Sequence, residues 1–199
     1  MTLIRFLRHL PITAALLAAM IAARHAIGPL AGPLPPPVLA RRGISLDTVP
    51  DGQVERFLTA TFLSHDSTMF VRQLGFAAAI SGLHEWRRGG IRTGLTFGCV
   101  DVAATGLVLL GVVWPLSRLP GRAALSGTLD VGMSAGGFGR LGPLITSTRR
   151  PAPLLDVIAL IVAGKMLFAP DPIADPAHLA ALAVGAGLGR AAGGRLADL

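Results

Sequence analysis

Apolar residues gather along the chain into six stretches, separated by breaks rich in arginine, glycine or proline. The first, 10–23, follows Arg5 and Arg8 and stops at Arg24 and His25. The second, 68–83, contains Arg72 and Gln73 and closes on Glu85-Trp86-Arg87-Arg88-Gly89-Gly90. The third, 94–116, is interrupted only by Asp101 and reaches Trp114 at its far end, where interfacial tryptophan is enriched. The fourth, 129–147, holds Arg140 and a glycine-crowded run. The fifth, 154–169, holds Asp156 and Lys165, and the sixth, 173–189, holds Asp175, Pro176 and His178. A soluble helix normally keeps a polar face, and 94–116 has none, so the pattern predicts membrane-crossing helices over a soluble bundle with unusually apolar cores.

Between the first two stretches, Pro29, Pro33, Pro35, Pro36, Pro37 and Pro50 predict a long outer loop over 28–66 with no regular helix in 28–50. Within that loop, 54–63 alternates charged and apolar residues, as a segment lying at the membrane interface does. The first stretch is short of the roughly 20 residues a crossing needs, so Arg5 and Arg8 must snorkel if it is retained. A cleaved signal peptide is the rival reading, and a retained first helix is preferred.

Composition agrees with this pattern: 52% of residues are apolar and the mean hydropathy is +0.62. The net charge is +7, but the cations fall in pairs between apolar runs and lack interleaved aromatics, so a nucleic-acid partner is not expected. Cys99 is the lone cysteine, which excludes a disulfide framework and a cysteine metal site, and neither metal nor cofactor is expected. Six crossings put both termini on one side. Arg5, Arg8, Arg87, Arg88, Arg92, Arg149, Arg150, Arg190 and Arg195 share that side, against Arg24, Arg41, Arg42, Arg56, Arg118 and Arg122 opposite. By the positive-inside rule the termini, with the basic tail 190–199, are cytoplasmic. The expected architecture is a single all-α, polytopic membrane bundle over 1–199, in a bacterial cell membrane.

The glycine-crowded run contains Gly132-Met133-Ser134-Ala135-Gly136, a literal G-x-S-x-G. The nucleophile elbow of soluble hydrolases needs a buried strand and a βα sheet, for which this chain has neither room nor pattern. Topology offers another partner. The fourth and sixth helices both run inward from the outer face, with Ser134 and His178 each about one turn in, so the two residues lie at matched depth. His178, Ala181, Gly185 and Gly189 share one face of the sixth helix, and Gly132, Gly136 and Gly139 share one of the fourth. Two faces of small residues permit the close approach that a serine–histidine hydrogen bond requires. Of the charges inside the stretches, Arg72, Asp101, Arg140, Asp156 and Lys165 are expected to face protein, with Asp101 against Arg140. Asp175 reads as an N-cap with Pro176 at N1, in preference to a third member of a triad. His65 reads as a surface histidine, and His84 carries no assigned role.

With these motifs the chain resembles the rhomboid family of intramembrane serine proteases over about 57–189. Gly132-Met133-Ser134 resembles the family's GxS motif. His178 with Ala181 and Gly185 resembles its helix-six histidine followed by small residues. The stretch 56–65, Arg-Phe-Leu-Thr-Ala-Thr-Phe-Leu-Ser-His, resembles its entry to helix two. The resemblance implies a Ser134/His178 dyad that cleaves transmembrane segments of other membrane proteins within the lipid bilayer. The oxyanion is then held by the Ser134 N–H, with Gly132 and Met133 shaping the turn. The family's H-x-x-x-N of helix two falls here on Met69 and Gln73, so one imidazole donor is replaced by a thioether and one amide is kept. The family's Trp-Arg pair in the first loop has no obvious counterpart. The alternative that the resemblance allows is a catalytically silent rhomboid-like protein that binds and routes membrane-protein spans.

Overall fold

The computed structural model describes residues 9–27, 31–168 and 170–191; Arg5, Arg8, Pro29 and Arg195 lie outside them. Within the described residues the chain is all-helical, apart from two isolated bridges joining Pro33 to Asp66 and Ile44 to Asp130. The long helices are α1 (Pro11–Ile27), α2 (Ser67–Arg88), α3 (Gly90–Val108), α4 (Ser134–Thr146), α5 (Pro151–Phe168) and α6 (Ala174–Ala191). Among the described residues, two helical stretches are long and apolar enough to cross a membrane, namely Gly90–Ser117 and Pro151–Phe168, with mean hydropathies of 2.0 and 1.8. α1 is apolar but has only 17 residues.

Each boundary has a local cause. α1 opens on Pro11, and Glu85 of α2 caps it from across the bundle. That carboxylate accepts the Ile12 N–H (2.9 Å), the Thr13 N–H (2.7 Å) and the Thr13 hydroxyl (2.7 Å). α1 also runs past Ala23, so Arg24 is a helix residue, 2% exposed, that donates to the Gly32 carbonyl at 2.7 Å. Asp66 caps α2 by accepting the Met69 N–H at 2.7 Å, and Gly89, at φ +82°, ends it. α3 continues through a widened π turn, Leu109–Val113, into Trp114–Ser117. Pro115 has no N–H and its ring crowds the carbonyl four residues back, which the wider turn absorbs.

The outer loop departs from expectation. A seven-residue helix, Pro36–Arg42, forms inside the proline-rich part, because prolines in a first turn cost no hydrogen bond. The 54–63 segment becomes two short turns, Arg56–Thr59 and Ala60–Phe62, with Val54 and Leu58 exposed and Ala60 and Leu63 buried. Arg56 ties them to the preceding helix by donating to the Ala40 and Gly43 carbonyls at 2.8 and 2.7 Å.

α4 lies at the centre. It starts at Ser134, because 129–133 is not helical: Ile44 and Asp130 exchange backbone hydrogen bonds, and the Gly132 N–H goes to the Ala60 carbonyl at 2.9 Å. Most of its 13 residues are buried, against α6 above all and then α3 and α2. Pro143 lies inside α4 and cannot bond the Gly139 carbonyl, which is the atom a Cβ at Gly185 would strike. A Cβ at Gly142 would strike the α6 backbone from Leu182 to Ala186, so glycine lets the two backbones touch. α5 is the opposite case, with Val162 as its buried residue and Leu160, Ile161, Leu167 and Phe168 all strongly exposed.

Candidate active site

Ser134 is the first residue of α4, and His178 stands one turn into α6. The structure brings them together, with His178 Nε2 2.8 Å from Ser134 Oγ and both side chains half-buried. Ser134 begins its helix and does not lie a turn within it, since the preceding five residues are not helical. The imidazole is held flat against Phe138, four residues beyond Ser134, with ring centroids 4.5 Å apart and planes at 20°. Phe76 of α2 backs Phe138 at 5.5 Å, in space that a Cβ at Gly137 would occupy. Phe138 went unassigned in the sequence because an aromatic at i+4 looks the same in a core.

The glycines divide the work differently from the sequence reading. Gly142 faces Gly185 and its neighbours, Gly185 in turn faces the Gly139 backbone, and Ala181 is fully buried on the same helix, whereas a Cβ at Gly139 would strike Val100 of α3. Gly136 faces α3 as well, where a Cβ would strike the Phe97 ring. Gly132 lies outside the helix at φ +128°, in the region that favours glycine, and a Cβ there would strike Gln73 Nε2 and come within 2.9 Å of Met69 Cε. Gly132, Met69 and Gln73 therefore converge ahead of Ser134. Met133 packs inward with Leu16, Met20 and Phe70.

Gln73 is 5% exposed and accepts the Ser64 hydroxyl through Oε1 at 2.6 Å, while its Nε2 is buried with no hydrogen-bond partner among the described residues. A buried amide donor left unpaired is costly, and its proximity to Gly132 aims it at the turn before the serine. As the first helical residue, Ser134 presents an N–H that has no acceptor within its helix.

Behind the serine, Asp101 of α3 is 5% exposed and accepts the Gly136 N–H at 2.7 Å and the Thr61 hydroxyl at 2.5 Å. It caps α4 from a neighbouring helix and makes no ion pair with Arg140. Arg140 instead donates Nε to the Gly136 carbonyl at 3.3 Å and lies over the Phe97 ring at 4.5 Å. The ion pair among the described residues joins Lys165 of α5 to Asp175 of α6 at 2.6 Å. Asp175, fully buried, also accepts the Asp171 N–H at 2.8 Å. The cap of α6 is Asp171, whose Oδ1 accepts the Ile173 and Ala174 N–H groups at 3.0 and 2.8 Å. Asp175 is therefore not the cap, because the helix starts before it, and its carboxylate bonds Lys165 and the Asp171 N–H with no hydrogen bond to His178 among the described residues.

Two charges do not turn inward. Arg72 and Asp156 are exposed, each five residues from its helix start, about 7.5 Å along the axis and within reach of an interface. His84, left without a role, is buried with Nδ1 2.8 Å from the Thr93 hydroxyl. His65 is half-buried, and its carbonyl accepts the Leu34 N–H at 2.6 Å. In the extended segment before α4, burial and then the charge of Asp171 push the Asp130 carboxyl up to about 7, against the lowering effect of the Val131 N–H bond.

Compared with protein-family models and with curated proteins, the chain finds no match.

Proposed function

We propose that this chain is a rhomboid-like intramembrane serine protease, and the observation that carries the reading is the 2.8 Å hydrogen bond between Ser134 and His178. In this reading Ser134 Oγ attacks a scissile carbonyl while His178 Nε2 takes its proton and later returns it to the leaving amine. The Ser134 N–H and the unpartnered Gln73 Nε2 receive the oxyanion, and Phe138 keeps the imidazole in plane. Substrates are transmembrane segments with small or helix-breaking residues near the outer face. Six crossings with cytoplasmic termini complete the reading. It is supported by apolar side chains pointing outward on α3 and α5 while Asp101, Arg140, Gln73 and Asp175 lie inside.

A second reading, a catalytically silent chain that binds and routes membrane-protein spans, draws on one observation: Met69 stands beside Gly132 and offers no hydrogen-bond donor. Cleavage of a helix-unstable reporter span in proteoliposomes separates the two. Cleavage that disappears in Ser134→Ala and His178→Ala supports the protease. Reporter binding without cleavage, unchanged in both variants, supports the silent reading and overturns the first.

A further inference from the structure

At the opposite end of the bundle from Ser134, where α2 ends, α3 begins and α4 meets α6, a cavity of about 340 Å³ opens between α3 and α6. His84 lies against its inner side, Arg88 and Arg92 line it, and Leu95, Cys99 and Leu188 form its apolar walls. Leu95 and Leu188 are 62% and 46% exposed, so the walls continue onto the outward-facing surface of the helices. Among the described residues no aspartate or glutamate lines it, and Glu85 nearby is engaged in capping α1. Arg88 donates one Nη2 bond to the Pro143 carbonyl at 3.2 Å, and its Nε is buried without a partner among the described residues. Arg92 makes no ion pair among the described residues, and its charge bears directly on Arg88. Helix capping accounts for Arg88, in the last turn of α2, but not for Arg92, which sits in the first turn of α3 where the helix dipole disfavours a cation. Two adjacent guanidinium groups, one with an unused buried donor, call for an anion, and the apolar groove leading away from them calls for a chain attached to it.

We infer that this cavity binds one anionic phospholipid of the inner leaflet, with its phosphate between Arg88 and Arg92 and the start of an acyl chain along Leu95, Cys99 and Leu188. The inference rests on the membrane-spanning reading but not on catalysis. Arg149 and Arg150, outside the cavity at the same end, supply a control for general surface attraction.

The test is native mass spectrometry of the full chain, extracted in mild detergent and offered phosphatidylglycerol or phosphatidylcholine with identical acyl chains. The wild type retains one phosphatidylglycerol in preference to phosphatidylcholine. Arg92→Gln, which removes no hydrogen bond, lowers that retention about fivefold, the factor expected for one arginine beside an anionic headgroup. The Arg88→Gln/Arg92→Gln pair lowers it further, and Arg149→Gln/Arg150→Gln leaves it unchanged. Equal retention of the two lipids, an equal loss in the control, or full displacement by millimolar inorganic phosphate overturns the lipid site. A chain recovered in the soluble fraction, needing no detergent, overturns the membrane reading itself, so the two failures are told apart.

Discussion

Replacing Gln73 with leucine separates catalysis from folding, because its amide does two different things. In the resting protein Oε1 accepts one hydrogen bond, from Ser64 at 2.6 Å, and Nε2 has no partner although it is buried. Leucine removes a hydrogen bond worth about 0.5–1.5 kcal/mol and strands the Ser64 hydroxyl, which is 1% exposed, at a further cost of about 1–3 kcal/mol. It also removes a buried orphan donor, whose relief is about 1–3 kcal/mol in the other direction. The net change in stability is therefore on the order of 1–2 kcal/mol or less, a Tm shift of a few degrees in a chain of this size. The rate is a different matter. A donor used only when negative charge develops contributes about 10²- to 10³-fold, and nothing in Gln73→Leu replaces it. Initial rates of reporter-span cleavage in proteoliposomes, read beside thermal unfolding of the same preparations, measure both quantities. Gln73→Asn, which keeps an amide but is one methylene shorter, falls between. A Gln73→Leu variant that cleaves at the wild-type rate, or that loses activity only in step with its folded fraction, refutes the role of the amide.

Other expectations follow from the packing and the charges. Gly185→Ala drives a methyl group into the Gly139 carbonyl, whereas Gly187 has nothing within 4 Å. Thermal unfolding should show a loss of about 1–3 kcal/mol for the first and no loss for Gly187→Ala, and serine-probe labelling should fall only in Gly185→Ala. Lys165→Met leaves the buried Asp175 carboxylate without its cation, whereas Asp175→Asn leaves only a 45% exposed lysine in solvent. The first should therefore be the more destabilising, by on the order of 1–2 kcal/mol given the exposure of the lysine, in parallel denaturation curves. Asp130 has its carboxyl raised in the folded state to about 7, so its charged form costs stability. That cost is absent below the unfolded value near 4, grows as pH rises, and is full above about 7. Asp130→Asn should accordingly raise Tm at pH 8 and leave it unchanged at pH 4.

The helical class was legible because the apolar stretches and their arginine and glycine breaks repeat along the whole chain, and α2 closes on Gly89 where the break predicts. Ser134 and His178 were legible as partners because depth along two helices of the same direction needs only boundaries and the 1.5 Å rise. Errors of phase came from a single boundary. Starting the fourth helix at 129 put Gly132, Gly136 and Gly139 beneath the serine, whereas the non-helical 129–133 segment, pinned by Ile44 and Ala60, leaves Gly132 in a turn, and Gly136 and Gly139 face α3. The α6 cap was misplaced in the same way, because Asp171 and Asp175 both satisfy a capping pattern and only the fold shows Lys165 taking the second. Charge pairing was not legible at all. Asp101 prefers a backbone N–H and the hydroxyl of a residue forty positions away, contacts with no local spacing to reveal them.

Reacting the protein in its membrane with a fluorophosphonate probe, and locating the adduct by peptide mass spectrometry, reads directly whether Ser134 is a nucleophile activated by His178. The expected adduct is on Ser134, absent in Ser134→Ala and strongly reduced in His178→Ala, with both variants as stable as the wild type. A folded wild type that takes no label, or label that persists undiminished in Ser134→Ala, contradicts that role.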